Sequence, residues 1–548
     1  MRLFPSRIRG SAALFALIVA VIAALAACSS AAARPAGALA PRAEAELAAP
    51  PPAVASAPQA PASRSSMFAP AMNKGLALEA APAADAGTAA QDQGAAPDTE
   101  EYKAIVENPF KESAKDKVST FAVDVDTASY ANVRRYLNSG SLPPADAVRI
   151  EELVNYFDYG WKEPSAGAPI AVTTELASCP WAPAHRLLAV GLRTRSVSAD
   201  NLPPANLVFL IDSSGSMSDP NKLPLVKRAF ALLAETLRPQ DRVAIAVYAG
   251  SAGLVLPPTS GGDKAKILAA LEELEAGGST AGGAGIVLAY ETALQNFKKG
   301  GNNRVILATD GDFNVGLSSE AELTKLIESY RNKGVFLSVL GFGTGNVKDA
   351  RMEALADKGN GNYGYVDSVG EARKLLVDQM GATLLTVAKD VKVQVEFDPA
   401  AVASWRLVGY ENRLLAAEDF ANDKKDAGEM GAGHRVTALY ELVPAGAVAA
   451  GTPIGAARVR YKKPDADQSS LLEFPVADSG AAYAAASDDF RFAASVAAYG
   501  MLLRGSAYKG AADWKLVASL AKGASGQDGS GRRTEFVGLV EKAAALAK

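Results

Sequence analysis

Residues 206–211 (NLVFLI) form an unbroken apolar run, which fits a strand buried on both faces of a parallel sheet. Val226, Ala229, Phe230, Leu233 and Leu237 then recur at helical spacing, and Pro239 stops that helix. The alternation continues with a strand over 243–248 and a helix around Ile267, Leu271 and Leu274. A further helix carries Ile286, Tyr290, Ala293, Leu294 and Phe297, followed by a strand over 305–308. Leu323, Leu326, Ile327 and Tyr330 mark the next helix, and 335–340 the next strand. The pattern predicts an α/β fold over 203–388, a doubly wound, mostly parallel sheet with helices on both faces. In such sheets ligands bind beyond the carboxyl ends of the strands.

The pattern changes on either side. Region 101–202 mixes helix and strand. Residues 187–192 read as one strand and 121–127 as another, which ends in the two carboxylates Asp124 and Asp126. Asp126 or Thr127 is then expected to cap a helix bearing Tyr130, Val133, Arg134 and Leu137. In region 389–548, residues 391–397 alternate with period two, and 434–442 and 457–461 add strands, predicting an antiparallel β module. From about Asp488 the chain turns helical, with Phe492, Val496, Tyr499 and Leu503 on the face expected to pack on that module.

At 548 residues the chain is too long for one ordinary domain. Arg2, Arg7 and Arg9 precede an apolar run over 12–27, the pattern of a signal peptide spanning 1–27. The ending Leu25-Ala26-Ala27-Cys28 resembles the bacterial lipobox, which implies lipid on Cys28. Under that resemblance Ser29 implies sorting to the outer membrane, and Cys179 is left as a free, buried thiol. Residues 28–100 are rich in Ala and Pro and nearly free of aromatics, so they read as a disordered tether. Such a coil spans roughly 45 Å.

A net charge of −4 gives no field that favours nucleic acid or an anionic membrane. The two histidines, His185 and His434, stand in no metal-ligand spacing, which argues against zinc hydrolases and Ser-His-Asp chemistry.

The candidate chemistry lies at the predicted strand ends. Asp212, Ser214 and Ser216 come after the first strand in a D-x-S-x-S loop. Carboxylate and hydroxyl oxygens are hard ligands suited to Mg²⁺, Mn²⁺ or Ca²⁺. Gly277-Gly278-Ser279-Thr280 precedes a helix, and Thr309-Asp310-Gly311 ends a buried strand. Three oxygen-bearing loops in this order resemble the metal-ion-dependent adhesion site of von Willebrand factor type A (VWA) domains, over residues 204–388. The resemblance implies that Asp212, Ser214, Ser216, Thr280 and Asp310 bind a divalent ion, with Mg²⁺ first in expectation. It also implies that an Asp or Glu of a partner protein completes the coordination. An EF-hand reading of the loop from Asp310 through Asp312 and Asn314 fails, because Val315 replaces the glycine and Ala321 the glutamate. The glycines from Gly277 to Gly285 lack the P-loop lysine and read as tight turns.

The expected protein is therefore a metal-dependent, protein-binding lipoprotein of the bacterial cell envelope, not an enzyme. No histidine or obvious general base stands in the three loops to activate a water. Two alternatives stay open. Asp124 and Asp126 resemble the D-x-D-x-T motif of haloacid dehalogenase-type phosphatases, with Asp488 and Asp489 as an imaginable metal pair. The metal could also serve only to brace a scaffold.

Overall fold

The computed structural model describes residues 100–278, 282–311, 320–425, 427–447 and 449–548. The signal segment, the tether, Cys28, Ser279, Thr280, Asp312 and Asn314 lie outside the described residues.

The N-terminal flank contributes β1 (Lys111–Glu112), β2 (Val118–Ala122), α1 (Ala128–Asn138), α2 (Ile150–Asn155), β3 (Ile170–Cys179) and β4 (Ala182–Thr194). The central domain comes next with β5 (Ala205–Asp212), α3 (Leu223–Thr236), β6 (Arg242–Tyr248), β7 (Ala252–Ser260), α4 (Lys264–Glu272) and α5 (Gly282–Gln295). It continues with β8 (Asn302–Thr309), α6 (Glu320–Arg331), β9 (Val335–Phe342), α7 (Asp349–Lys358) and β10 (Tyr363–Val366). It closes with α8 (Val369–Arg373), a π-helical turn over Lys374–Asp378, and α9 (Met380–Leu384). The C-terminal flank supplies β11 (Thr386–Phe397), β12 (Val402–Val408), β13 (Met430–Gly431), β14 (Arg435–Pro444), β15 (Thr452–Lys462) and β16 (Ser469–Asp478). Three helices end the chain, α10 (Asp488–Arg504), α11 (Trp514–Gly523) and α12 (Arg532–Leu546).

The central sheet runs β10-β9-β8-β5-β6-β7, parallel except for the antiparallel edge strand β7. This is the VWA-type α/β fold. Along β5 the side chains alternate between two cores. Leu207, Phe209 and Ile211 pack with α3, whereas Val208 and Leu210 pack with α5, α6 and α7. Burial on both faces explains the unbroken apolar run. Phe297 falls outside its predicted helix: α5 ends at Gln295, and the Phe297 ring is 43% exposed before the Gly300-Gly301 turn.

The two flanks form one body. One sheet runs β1-β12-β14-β4-β3, and in the other β11 pairs with β2, β13 and β15. Strands more than 200 residues apart in sequence are thus neighbours, as in the pairing of Leu188 with Tyr440. Leu188, Val190 and Leu192 fill the core between the two sheets. Leu187 and Ala189 face the opposite way, into a core closed by α1, α2 and the C-terminal helices. Gly191 is needed at this crossing, because a Cβ there would lie 2.5 Å from the Trp161 ring.

Both connections to the central domain pass one short segment. Thr194 N–H donates to His434 O (3.0 Å), Gly433 N–H to Arg195 O (2.9 Å) and Ala432 N–H to Leu385 O (2.8 Å).

The expected cap of α1 is different in the structure. Thr127 occupies the N-cap position without a side-chain cap bond, and Asp126 Oδ1 instead accepts from Tyr363 N–H at 2.9 Å. The Glu152 carboxylate serves the helix start, accepting from Ser129 N–H at 2.9 Å. Cys179 is buried and free, and burial pushes its thiol up. Among the described residues no helix is long and apolar enough to cross a membrane.

Candidate metal centre

Strand β5 carries Asp212 as its last residue, and Asp310 comes directly after β8. The two strands pair in parallel, so their carboxyl ends meet at one edge of the sheet. Both carboxylates are fully buried. Ser214 is buried above them, and Ser216 stands exposed at the rim.

The D-x-S-x-S loop is tightly held. Asp212 Oδ1 accepts from Ser214 N–H at 2.9 Å, and Asp212 Oδ2 accepts from the Tyr248 hydroxyl at 3.1 Å. The Thr309 hydroxyl lies 3.4 Å from the same Oδ2. Ser214 Oγ and Ser216 Oγ are 3.0 Å apart. Backbone bonds from Gly277 N–H to Ser213 O (2.8 Å) and from Gly215 N–H to Gly278 O (3.1 Å) clasp the second loop to the first. Four of the five expected residues, Asp212, Ser214, Ser216 and Asp310, therefore stand in one edge cluster. Thr280 lies outside the described residues, two positions beyond Gly278.

Three participants escape the sequence pattern: Lys222, Tyr248 and Asn346. Lys222 sits at the N-cap of α3, and its ammonium lies 3.0 Å from Asp310 Oδ2. Its stem runs past Gly343, where φ is +79° and a Cβ would come within 2.5 Å of Lys222 Cε. A glycine at 343 thus leaves the groove through which the lysine reaches the site. The available signal was positional. Lys222 directly precedes a helix that begins beside the loop, and Tyr248 ends β6 next to Asp212 in register.

The two carboxylates are driven apart electrostatically. Burial pushes Asp212 above the ordinary carboxylate range, and the Asp310 charge adds to it against the hydrogen bonds from Ser214 and Tyr248. Burial acts in the same direction on Asp310. Hydrogen bonds from Asn346, Lys222 and Ser216, with the Lys222 charge, more than reverse it and hold Asp310 below its usual value.

The other candidate carboxylates also cluster, but around an arginine. Arg413 contacts Asp124 (3.1 Å), Asp126 (3.3 Å), Asp357 (2.9 Å) and Glu353 (2.6 Å) near the amino ends of the central strands. Asp488 and Asp489 are engaged elsewhere, Asp488 with Arg491 and Asp489 with Arg533 and Gly160 N–H.

Fold and sequence matches together place the central region in the von Willebrand factor type A class. The chain matches the family described as von Willebrand factor type A domain over residues 206–378, with a further von Willebrand factor match over residues 96–189. It matches "Uncharacterized protein YfbK, C-terminal" over residues 382–546. It is 44% identical over 494 residues to "Uncharacterized protein YfbK" of Escherichia coli (strain K12), covering 86% of this chain and 85% of that protein. The chain belongs to the YfbK family. It is also 25% identical over 298 residues to "Uncharacterized protein sll0103" of Synechocystis, covering 53% of this chain and 70% of that one. Among solved structures, a von Willebrand factor type A protein from Catenulispora acidiphila matches at 17% identity with a TM-score of 0.38, over 66% of this chain and 89% of that one.

Proposed function

We propose that Asp212, Ser214, Ser216, Thr280 and Asp310 hold a divalent cation that captures an acidic side chain of a partner protein at the cell envelope. The observation that carries this reading is the 3.0 Å spacing of the two serine oxygens above two buried carboxylates. Neighbouring ligands of an octahedral ion lie √2 bond lengths apart. That is about 3.0 Å for Mg²⁺ and about 3.4 Å for Ca²⁺. The two hydroxyls, hydrogen-bonded to each other at this spacing, can serve as neighbouring ligands of such an ion.

Charge supports recognition over catalysis. Lys222 neutralises Asp310, so the cluster offers about one uncompensated negative charge to a dication. The bound ion supplies a positive centre that attracts an external carboxylate. No histidine stands among the described side chains that contact Asp212 or Asp310. On this reading a lipid on Cys28 tethers the body to the membrane.

Titration calorimetry with Mg²⁺ and Mn²⁺ tests the site, with Asp212→Ala as the control. Equal metal binding by the variant and the native chain would refute the assignment. Pull-down from envelope extracts with and without chelator tests the partner. Capture that survives chelation while the melting temperature falls would reduce the metal to a brace.

A further inference from the structure

At the other end of the central sheet lies a cavity of about 940 Å³, within the size range of small-molecule sites. Arg304, near the start of β8, stands in its wall and is only 3% exposed. Its Nη1 donates to Ser338 Oγ (2.7 Å) and its Nη2 to Thr383 O (2.9 Å), both neutral acceptors, while Nε has no partner. Among the described residues no carboxylate lies within ion-pairing distance of it; the Phe336 ring lies under the guanidinium at 5.6 Å, and the Glu429 charge reaches it from further off. The other buried arginines are all paired: Arg134 with Asp367 and Glu371, Arg149 with Asp349, Arg406 with Glu441 and Arg533 with Asp489. A buried cation lacking a counter-charge is costly, and burial already brings the Arg304 guanidinium down to about 10. The adjoining wall is apolar, formed by Ile306, Leu340, Leu375, Leu376 and Met380.

We infer that this cavity binds a monoanionic organic carboxylate, its head group on the Arg304 guanidinium and its hydrocarbon body on the wall of Ile306, Leu340, Leu375, Leu376 and Met380. The planar fork of arginine matches a carboxylate, and each Nη carries a second N–H beyond the one it already donates. The other charged residues that border the cavity balance, six acidic and six basic, so Arg304 leaves one excess positive charge, which suits a monoanion better than a dianion such as phosphate. This site is separate from the metal centre and does not depend on it.

Octanoate and its neutral isostere octanamide are the probes, titrated into the purified chain by calorimetry with chelator present. Octanoate is expected to bind at least tenfold more tightly than octanamide, and Arg304→Gln is expected to erase the difference. Arg304→Lys retains the charge without the fork and is expected to keep only part of it. Equal binding of the two probes by the native chain overturns the inference, as does no binding of either. A preference that survives in folded Arg304→Gln also overturns it, and inorganic phosphate binding more tightly than octanoate overturns the monoanion assignment. The probe pair decides the matter on unmutated protein even if Arg304→Gln fails to fold.

Discussion

The two edges of the central sheet carry opposite kinds of polar cluster. The amino edge gathers four carboxylates, Asp124, Asp126, Glu353 and Asp357, and commits all of them to Arg413. Among the described residues, the cluster at the carboxyl edge brings together Asp212, Asp310, two serine hydroxyls and the Lys222 ammonium. Acidic residues are twice as many at the first edge, yet that edge is occupied by its own guanidinium. The second is poorer in charge, but its exposed Ser216 faces outward beside buried carboxylates. On the proposed reading, what separates the clusters is how far the chain neutralises its own carboxylates: Arg413 meets all four at one edge, whereas Lys222 pairs with Asp310 at the other.

The sharpest way to break this contrast is to remove Arg413. Arg413→Ala leaves four neighbouring carboxylates without their cation, and a loss of about 3–5 kcal/mol is expected in chemical denaturation, with or without metal. Asp212→Ala should do the reverse, losing Mg²⁺ binding in calorimetry while the unfolding midpoint without metal moves far less. If both variants behave alike, the two edges do not differ in the way described. Lys222→Met removes the competing ammonium but keeps the stem. About tenfold tighter metal binding is expected, or about 1.4 kcal/mol, together with weaker capture of an acidic partner.

The smallest effect is one of pH. Burial, with the neighbouring Asp124 charge acting on Asp357, raises both Glu353 and Asp357 to about 7. Carboxylates raised in the fold bind more protons there than in the unfolded chain, so their contribution falls as pH rises from the unfolded value through about 7. Half-buried His434, brought down to about 4 by desolvation, acts oppositely between about 4 and its ordinary 6.5. Asp357→Asn should therefore show a smaller drop in melting temperature between about pH 5 and about pH 8 than the native chain, in thermal scans at matched ionic strength.

Much of the carboxyl edge was legible because its residues are local to strand ends. A buried apolar run that ends in D-x-S-x-S or T-D-G marks both the end of the strand and the oxygen-bearing side chains just beyond it. Lys222, Tyr248 and Asn346 were not legible as site residues, because their role depends on where other elements bring them. The joint sheet of the flanks was hidden for a related reason. Pairing Leu188 with Tyr440 rests on contacts that no short window contains. Asp126 shows the converse failure. Its position before a helix suggested a cap, but tertiary partners from Tyr363 and Arg413 took both its oxygens.

The paired crossings beside residues 431–434 carry a mechanical consequence. The central domain leaves and re-enters the flanking body through two polypeptides stitched to the same short stretch, so its neck is double. On the proposed reading, tension applied at the carboxyl edge divides between those two segments instead of peeling one. Swivelling about the neck would have to rupture the Gly433–Arg195 and Ala432–Leu385 bonds together with the Arg413–Glu353, Arg413–Asp357 and Arg149–Asp349 pairs that also join the central domain to the flanks. A domain mounted in this way resists twisting and passes a sustained pull directly into the sandwich beneath it.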